Sequence, residues 1–135
     1  SGSSEGTIAL WNLATQQLLR LLPGHQQAIT GLAFSPDGKT LASSSWDGTV
    51  KLWSSSTCRE KRLLLAGPER VAALAFSPDG KLLATGSDRL NLWNPRNGKE
   101  ITTLLGHSQG ISAIDFSADG KTLASSSWDG KIQIW

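Results

Sequence analysis

A motif that returns about every 40 residues constrains this chain more than anything else in it. Phe34-Ser-Pro-Asp-Gly38 recurs as Phe76-Ser-Pro-Asp-Gly80 and as Phe116-Ser-Ala-Asp-Gly120, at steps of 42 and 40 residues. Trp11, Trp53, Trp93 and Trp135 keep the same beat. The ten residues from Lys39 to Gly48 return almost unchanged from Lys121 to Gly130. Self-similarity at this period means that one supersecondary unit is repeated and that its copies must stack to bury a core.

Each unit reads as four strands. Residues 28–35, 71–77 and 111–117 are apolar and small, and each ends in a Pro-Asp-Gly or Ala-Asp-Gly turn suited to a hairpin. Second strands are expected at 39–46, 81–87 and 121–128. Third strands are expected at 7–12, 49–54, 90–93 and 131–135, where apolar and polar residues alternate. Fourth strands are expected at 16–22, 60–66 and 99–105. Their short apolar runs end at Gly and Pro, which favours strand over helix. Four-stranded antiparallel units at this period are the blades of a β-propeller. The chain reads as one propeller segment, 1–135. It comprises a partial blade at 1–22 (third and outer strands), blades at 28–66 and 71–105, and a blade at 111–135 that lacks its outer strand.

Composition narrows the function classes. The chain is 39% hydrophobic and 18% charged, a globular balance, and has no apolar run of the ~20 residues a membrane helix needs. One cysteine, Cys58, cannot form an internal disulfide, and one Cys with two His makes no structural zinc site. No metal or other cofactor is expected. The net charge of +2 is too small to indicate nucleic acid. Residues 59–99 hold eight basic and four acidic side chains, without interleaved aromatics on one strand face, so nucleic acid is not expected as a partner. The chain contains no Met, which suggests a fragment or a processed piece.

The ordered set Gly24-His25, Gly106-His107, Trp46-Asp47, Trp128-Asp129 and the Leu-Trp ends of third strands resembles the WD-repeat family. The resemblance covers essentially the whole chain. It implies an all-β fold of WD-repeat blades, with the ring completed by other copies or by further chain. It also implies a hydrogen-bonded set in each blade, made of a His before the first strand, a Ser or Thr on the second, an Asp in the next turn and the Trp of the third. Carried onto this sequence, the sets are His25, Ser43, Asp47 and Trp53, then His107, Ser125, Asp129 and Trp135. In the middle blade Pro68 stands in place of the His, and the interval from Phe76 to Trp93 is two residues shorter than its counterparts. A partial set of Thr85, Asp88 and Trp93 is expected there. At the N-terminus Glu5 replaces the Asp.

Ser, His and Asp together suggest a catalytic triad. Their recurrence in two blades, and their expected burial, instead point to a structural device. No catalytic residue is assigned. Trp46 and Trp128 precede the turn Asp and are candidate partner anchors on one rim. Asp115 replaces Ala33 and Ala75 on a first strand and is expected to face the channel. The resulting expectation is a non-enzymatic, cytoplasmic protein-interaction scaffold that binds copies of itself and an unknown protein. A homotrimer with nine blades is preferred, and a homodimer with six comes second. The alternatives are an enzyme or sugar-binding propeller, and a fragment with no partner beyond itself.

Overall fold

A computed structural model describes residues 1–135. It contains thirteen strands and no helix, so no helix is long and apolar enough to cross a membrane. The strands are β1 (Thr7–Asn12), β2 (Gln17–Pro23), β3 (Ile29–Phe34), β4 (Thr40–Ser45), β5 (Thr49–Ser54), β6 (Glu60–Leu65), β7 (Ala73–Phe76), β8 (Leu83–Gly86), β9 (Leu90–Asn94), β10 (Lys99–Leu104), β11 (Ile111–Phe116), β12 (Leu123–Ser127) and β13 (Ile132–Ile134). All pairings are antiparallel between chain neighbours. They build sheets of two strands (β1-β2), four (β3-β4-β5-β6), four (β7-β8-β9-β10) and three (β11-β12-β13). Ser1 to Ser3 run beside β1, through a bridge between Gly2 and Ile8 and a hydrogen bond from Ala9 N–H to the Ser1 carbonyl at 2.7 Å.

The sheets stack in one direction because alternation gives each third strand a face of its own. Ile8 and Leu22 meet Leu41 and Trp53 of the second sheet. Val50, Leu52 and Leu64 of that sheet meet Val71, Leu83 and Trp93 of the third. Leu90 of the third meets Ile111 and Leu123 of the last. Each junction therefore sets the first and third apolar positions of one third strand against the second strand and Trp of the next sheet. Burying one such Leu or Val contributes about 1.5–3 kcal/mol, so the junctions carry the core. The last sheet, β11-β12-β13, has three strands. Its Ile132 and Ile134, at the repeat positions of Val50 and Leu52, are 74% and 67% exposed.

The hairpin turns explain the repeated motif. In Ser35-Pro-Asp-Gly38 the Gly38 N–H donates to the Ser35 carbonyl at 2.8 Å, and Pro36 supplies the φ that the second turn position requires. The Ser35 hydroxyl donates to Asp37 Oδ1 at 2.6 Å, and that oxygen also accepts the Lys39 N–H at 3.0 Å. Ser77 with Asp79, and Ser117 with Asp119, repeat the device. Glycine closes each turn at φ near +68°, where a β-carbon is strained.

The observed strands are mostly shorter than the sequence-based ranges. In the middle blade β7 opens at Ala73 rather than 71, because Val71 N–H and Ala72 N–H bond to Ser45 and Gly86 carbonyls in a loop arrangement. β8 and β12 likewise open two residues late, at Leu83 rather than 81 and at Leu123 rather than 121.

Candidate functional site

Two sheets hold a complete chain of side-chain hydrogen bonds. The His25 imidazole lies with Nδ1 3.1 Å from Asp47 Oδ2 and 3.0 Å from Thr49 Oγ1, and with Nε2 2.7 Å from Ser43 Oγ. An ionised carboxylate only accepts, so Nδ1 carries the proton and Nε2 is the acceptor for the Ser43 hydroxyl. The Ser43 oxygen in turn accepts Trp53 Nε1–H at 2.9 Å. The donor chain thus runs Trp53 to Ser43 to His25 to Asp47, each bond polarising the next. His107 repeats it, 3.1 Å from Asp129 and 2.9 Å from Ser125, and Trp135 donates to Ser125 at 2.9 Å. The His107 and Trp135 rings also meet edge to face, 6.5 Å between centroids.

The carboxylates are held by more than histidine. Asp47 accepts the Gln26 N–H at 2.9 Å on Oδ2, and the Thr49 N–H and hydroxyl on Oδ1 at 2.9 and 2.6 Å. Burial alone would raise this carboxyl, but the bonds from the Thr49 hydroxyl, the Gln26 and Thr49 amides and His25 together outweigh it and hold it near a pKa of about 2. Asp129 is also brought to about 2: burial opposes, while the Ser108 and Lys131 amides and His107 prevail. Burial lowers the His25 pKa against the raising effect of Asp47. Thr49 was not visible as a participant in the sequence. The signal was a hydroxyl two residues after the turn Asp, and Lys131 in the equivalent place offers only its amide.

The middle sheet keeps one link. Trp93 Nε1–H donates to Thr85 Oγ1 at 2.8 Å. Asp88 points elsewhere: its Oδ1 accepts from the Ser87 hydroxyl at 3.0 Å, and its Oδ2 lies 3.6 Å from Arg89 Nε. The structure therefore does not bring Asp88 to Thr85 and Trp93. Pro68 is exposed, where His25 is buried. In the first sheet Trp11 Nε1–H points to the Ser1 hydroxyl at 3.4 Å, the same pair of repeat positions again. Glu5 is exposed and takes no part.

These groups form the same Ser–His–Asp order as a hydrolase relay, but Ser43 is 0% exposed and its oxygen is already an acceptor. No substrate carbonyl reaches it. An open cleft of about 710 Å³ between the second and third sheets is lined by Asp37, Asp79, Lys61, Arg62 and Arg96. Another, of about 470 Å³, lies against Trp128 with Glu69, Arg70 and Asp88. Neither is lined by a histidine. No group of three or more His, Cys, Asp or Glu is placed to hold a metal ion.

Trp46 and Trp128 are 51% and 67% exposed, at the same repeat position and so on one rim. The Arg70 guanidinium sits 5.8 Å from the Trp46 ring centroid, a cation–π distance. Asp115 is exposed on β11, opposite Ala124. Cys58 is free and half-buried, at φ +56° in the turn between β5 and β6.

Comparison with known proteins matches three segments, 16–54, 60–93 and 98–135, to the family model described as "WD domain, G-beta repeat". A 43-residue stretch is 46% identical to Nuclear distribution protein PAC1 of Mycosarcoma maydis, covering 32% of this chain and 10% of that protein. A 39-residue stretch is 46% identical to the Periodic tryptophan protein 2 homolog of Neurospora crassa, covering 29% and 4%. A 47-residue stretch is 45% identical to the Notchless protein homolog of Arabidopsis thaliana, covering 34% and 10%. Each match thus spans a tenth or less of the relative's own length. The matched segments start at an outer strand and end at the Trp of a third strand or one residue beyond it, the same four-strand period that the sheets display. The chain belongs to the WD-domain, G-beta repeat family.

Proposed function

We propose that this chain is a non-enzymatic protein-interaction scaffold that closes into a ring of its own copies and offers Trp46 and Trp128 as anchors for a protein partner. WD-repeat proteins generally act as protein-interaction scaffolds. The observation that carries the reading here is the contrast between the two kinds of conspicuous side chain. The Ser–His–Asp–Trp sets are buried and mutually satisfied, and the two rim tryptophans are open to solvent. A buried, fully bonded relay has no free valence for chemistry. Trp and Arg are among the side chains enriched where a partner is anchored, and Arg70 lies over the Trp46 ring. The ring is a homotrimer of nine blades by preference and a homodimer of six blades second. A free, unpaired Cys58 suits the reducing cytoplasm.

Selection of random peptides on the immobilised chain tests the anchor role. Peptides whose affinity falls at least ~10-fold in both Trp46→Ala and Trp128→Ala, with melting unchanged, are the expected result. Binders indifferent to both substitutions overturn it.

A further inference from the structure

We propose that the cleft between the second and third sheets is a further docking site, which takes a phosphorylated serine or threonine in an extended segment of a partner protein. It opens at the β3–β4 and β9–β10 turns, at the end of the sheets opposite to Trp46. The site does not depend on the ring.

A β-bulge places the first cation. In β2, β6 and β10 the register slips by one residue opposite the Trp of the third strand, leaving Leu19, Lys61 or Ile101 as the extra residue. A bulge re-aims a side chain. Lys61 and Arg62, which regular alternation would send to opposite faces, therefore both line the cleft. Arg96 reaches it from the β9–β10 turn of the next sheet. The other outer strands carry Leu19-Arg20 and Ile101-Thr102 at these places, and Ser56 and Ala14 stand where Arg96 does in the earlier sheets. The group of three cations is thus confined to this junction. What stacking requires recurs in every sheet, as the turns and the bulges do, so these charges answer to something other than the fold.

No carboxylate lies within ion-pairing distance of any of the three. Lys61 Nζ donates instead to Thr40 Oγ1 at 3.1 Å and to the Lys39 carbonyl at 3.4 Å, and Arg62 Nη1 donates to the Lys61 carbonyl at 2.9 Å. These neutral partners hold two of the cations in place and leave their charge unbalanced. Of the two acids in the cleft, Asp79 lies 3.4 Å from Lys81. Asp37 is committed through Oδ1 to the Ser35 hydroxyl and the Lys39 amide, which hold it below its ordinary pKa and keep it an anion.

Three converging cations match a dianion better than a single carboxylate, which one Arg fork would satisfy. At about 710 Å³ the cleft is far larger than one phosphate needs, and Pro36, Pro95 and Phe76 give it apolar walls beside the cations. A phosphorylated side chain with an apolar neighbour in the same segment fills both parts. A nucleic-acid strand fits less well. Asp37 and Asp79 repel the next phosphate along, and Phe76 is the one aromatic side chain for a base to stack on. A protein segment carries its phosphate between neutral residues and avoids that repulsion.

Oriented peptide libraries passed over the immobilised intact chain test this. One has phosphothreonine flanked by randomised positions on both sides; the others have threonine or glutamate in its place. Retention of the phosphothreonine library at least ~10-fold above both others is expected, with an apolar residue enriched beside the phosphothreonine. Arg62→Gln and Arg96→Gln should each lower that retention at least ~5-fold at unchanged melting temperature. Arg59→Gln, just before β6 and outside the cleft, should leave it unchanged. Equal retention of the phosphothreonine and threonine libraries overturns the proposal, and so does retention indifferent to both Arg62→Gln and Arg96→Gln. Glutamate peptides held as well as phosphothreonine ones overturn the dianion and make the occupant an acidic segment. Displacement of the peptides by oligothymidylate at equal phosphate concentration overturns the protein segment in favour of nucleic acid.

Discussion

Asp47 accepts four hydrogen bonds from three residues, His25, Gln26 and Thr49, so it is the side chain on which the second sheet depends most locally. Asp47→Ala leaves the His25 Nδ1–H and the Gln26 amide without their carboxylate and should cost roughly 1–3 kcal/mol. Asp88→Ala removes only a serine contact and an exposed ion pair and should cost well under half as much. Denaturant melts of the two variants check this, and equal midpoint shifts would contradict it. Acid should act in two stages. The His25 pKa is below its ordinary 6.5, so the unfolded state binds the proton first, and stability present above pH ~6.5 declines as pH falls below it. Asp47 and Asp129 sit at about 2 rather than 3.8, so their contribution is full above pH ~4 and is lost between there and ~2. Melting temperatures from pH 8 to pH 2 should show both steps, and His25→Gln should flatten the upper one. The sequence already displayed Ser, His, Asp and Trp at their positions, because each is a conspicuous residue type at a repeated interval. Thr49 is not legible in the sequence because a threonine in a strand is ordinary, and its part depends on a rotamer that spacing does not convey.

At the scale of the element, the middle blade shows what a repeat tolerates. Its β8–β9 connection lacks two residues, Ser87 N–H closes the turn on the Arg89 carbonyl at 2.9 Å, and Asp88 is carried away from the strand register it would need. The sheet nevertheless has four strands and a dry junction on each side, with Val71, Leu83 and Trp93 on one and Leu90 and Ile111 on the other. Stacking decides the blade, and the polar set refines it. Pro68→His alone should therefore not raise the melting temperature, because no carboxylate waits for its Nδ1. Pro68→His combined with a Trp-Asp-Gly turn between Ser87 and Leu90 should raise it. A differential scanning melt distinguishes the two, and stabilisation by the single change would show that Asp88 is already within reach. The same reasoning explains which boundaries were legible. The Thr7–Asn12 and Thr49–Ser54 strands were readable to the residue because Gly-Thr and Asn or Ser bracket them. The starts of β7 and β12 were not, since apolar or polar residues continue through a loop whose hydrogen bonds go to another strand's end.

At the scale of the whole molecule, ring size follows from the angle that one junction imposes on the next. Rings of seven or eight blades turn by about 51° or 45° per blade, within the usual propeller range. Three copies giving nine blades need about 40°, about 5° from the nearer of these two values, while two copies giving six need about 60°, about 9° from the nearer. The side chains at the first strands set how far a junction can close near the axis. Gly31, Ala33, Ala73, Ala75 and Ala113 lie there, and a β-carbon on Gly31 would already stand 2.9 Å from the Ser44 hydroxyl and 3.5 Å from Leu74. Such close approach along the axis suits the smaller turn per blade, because a wider turn opens wedge-shaped voids at the rim that packed sheets cannot fill. The entropy of bringing three bodies together opposes this and favours the dimer at low concentration. The expected particle is therefore roughly 43 kDa, three times the 14.4 kDa chain, at micromolar concentration, with roughly 29 kDa appearing only on dilution. Light scattering across a dilution series reads the masses directly. A constant 29 kDa would select the six-bladed ring and show that the junctions absorb the wider turn. Gly31→Val, which thickens one first strand, should then shift the balance of the two masses, and a balance that does not respond would place the control of ring size away from the axis.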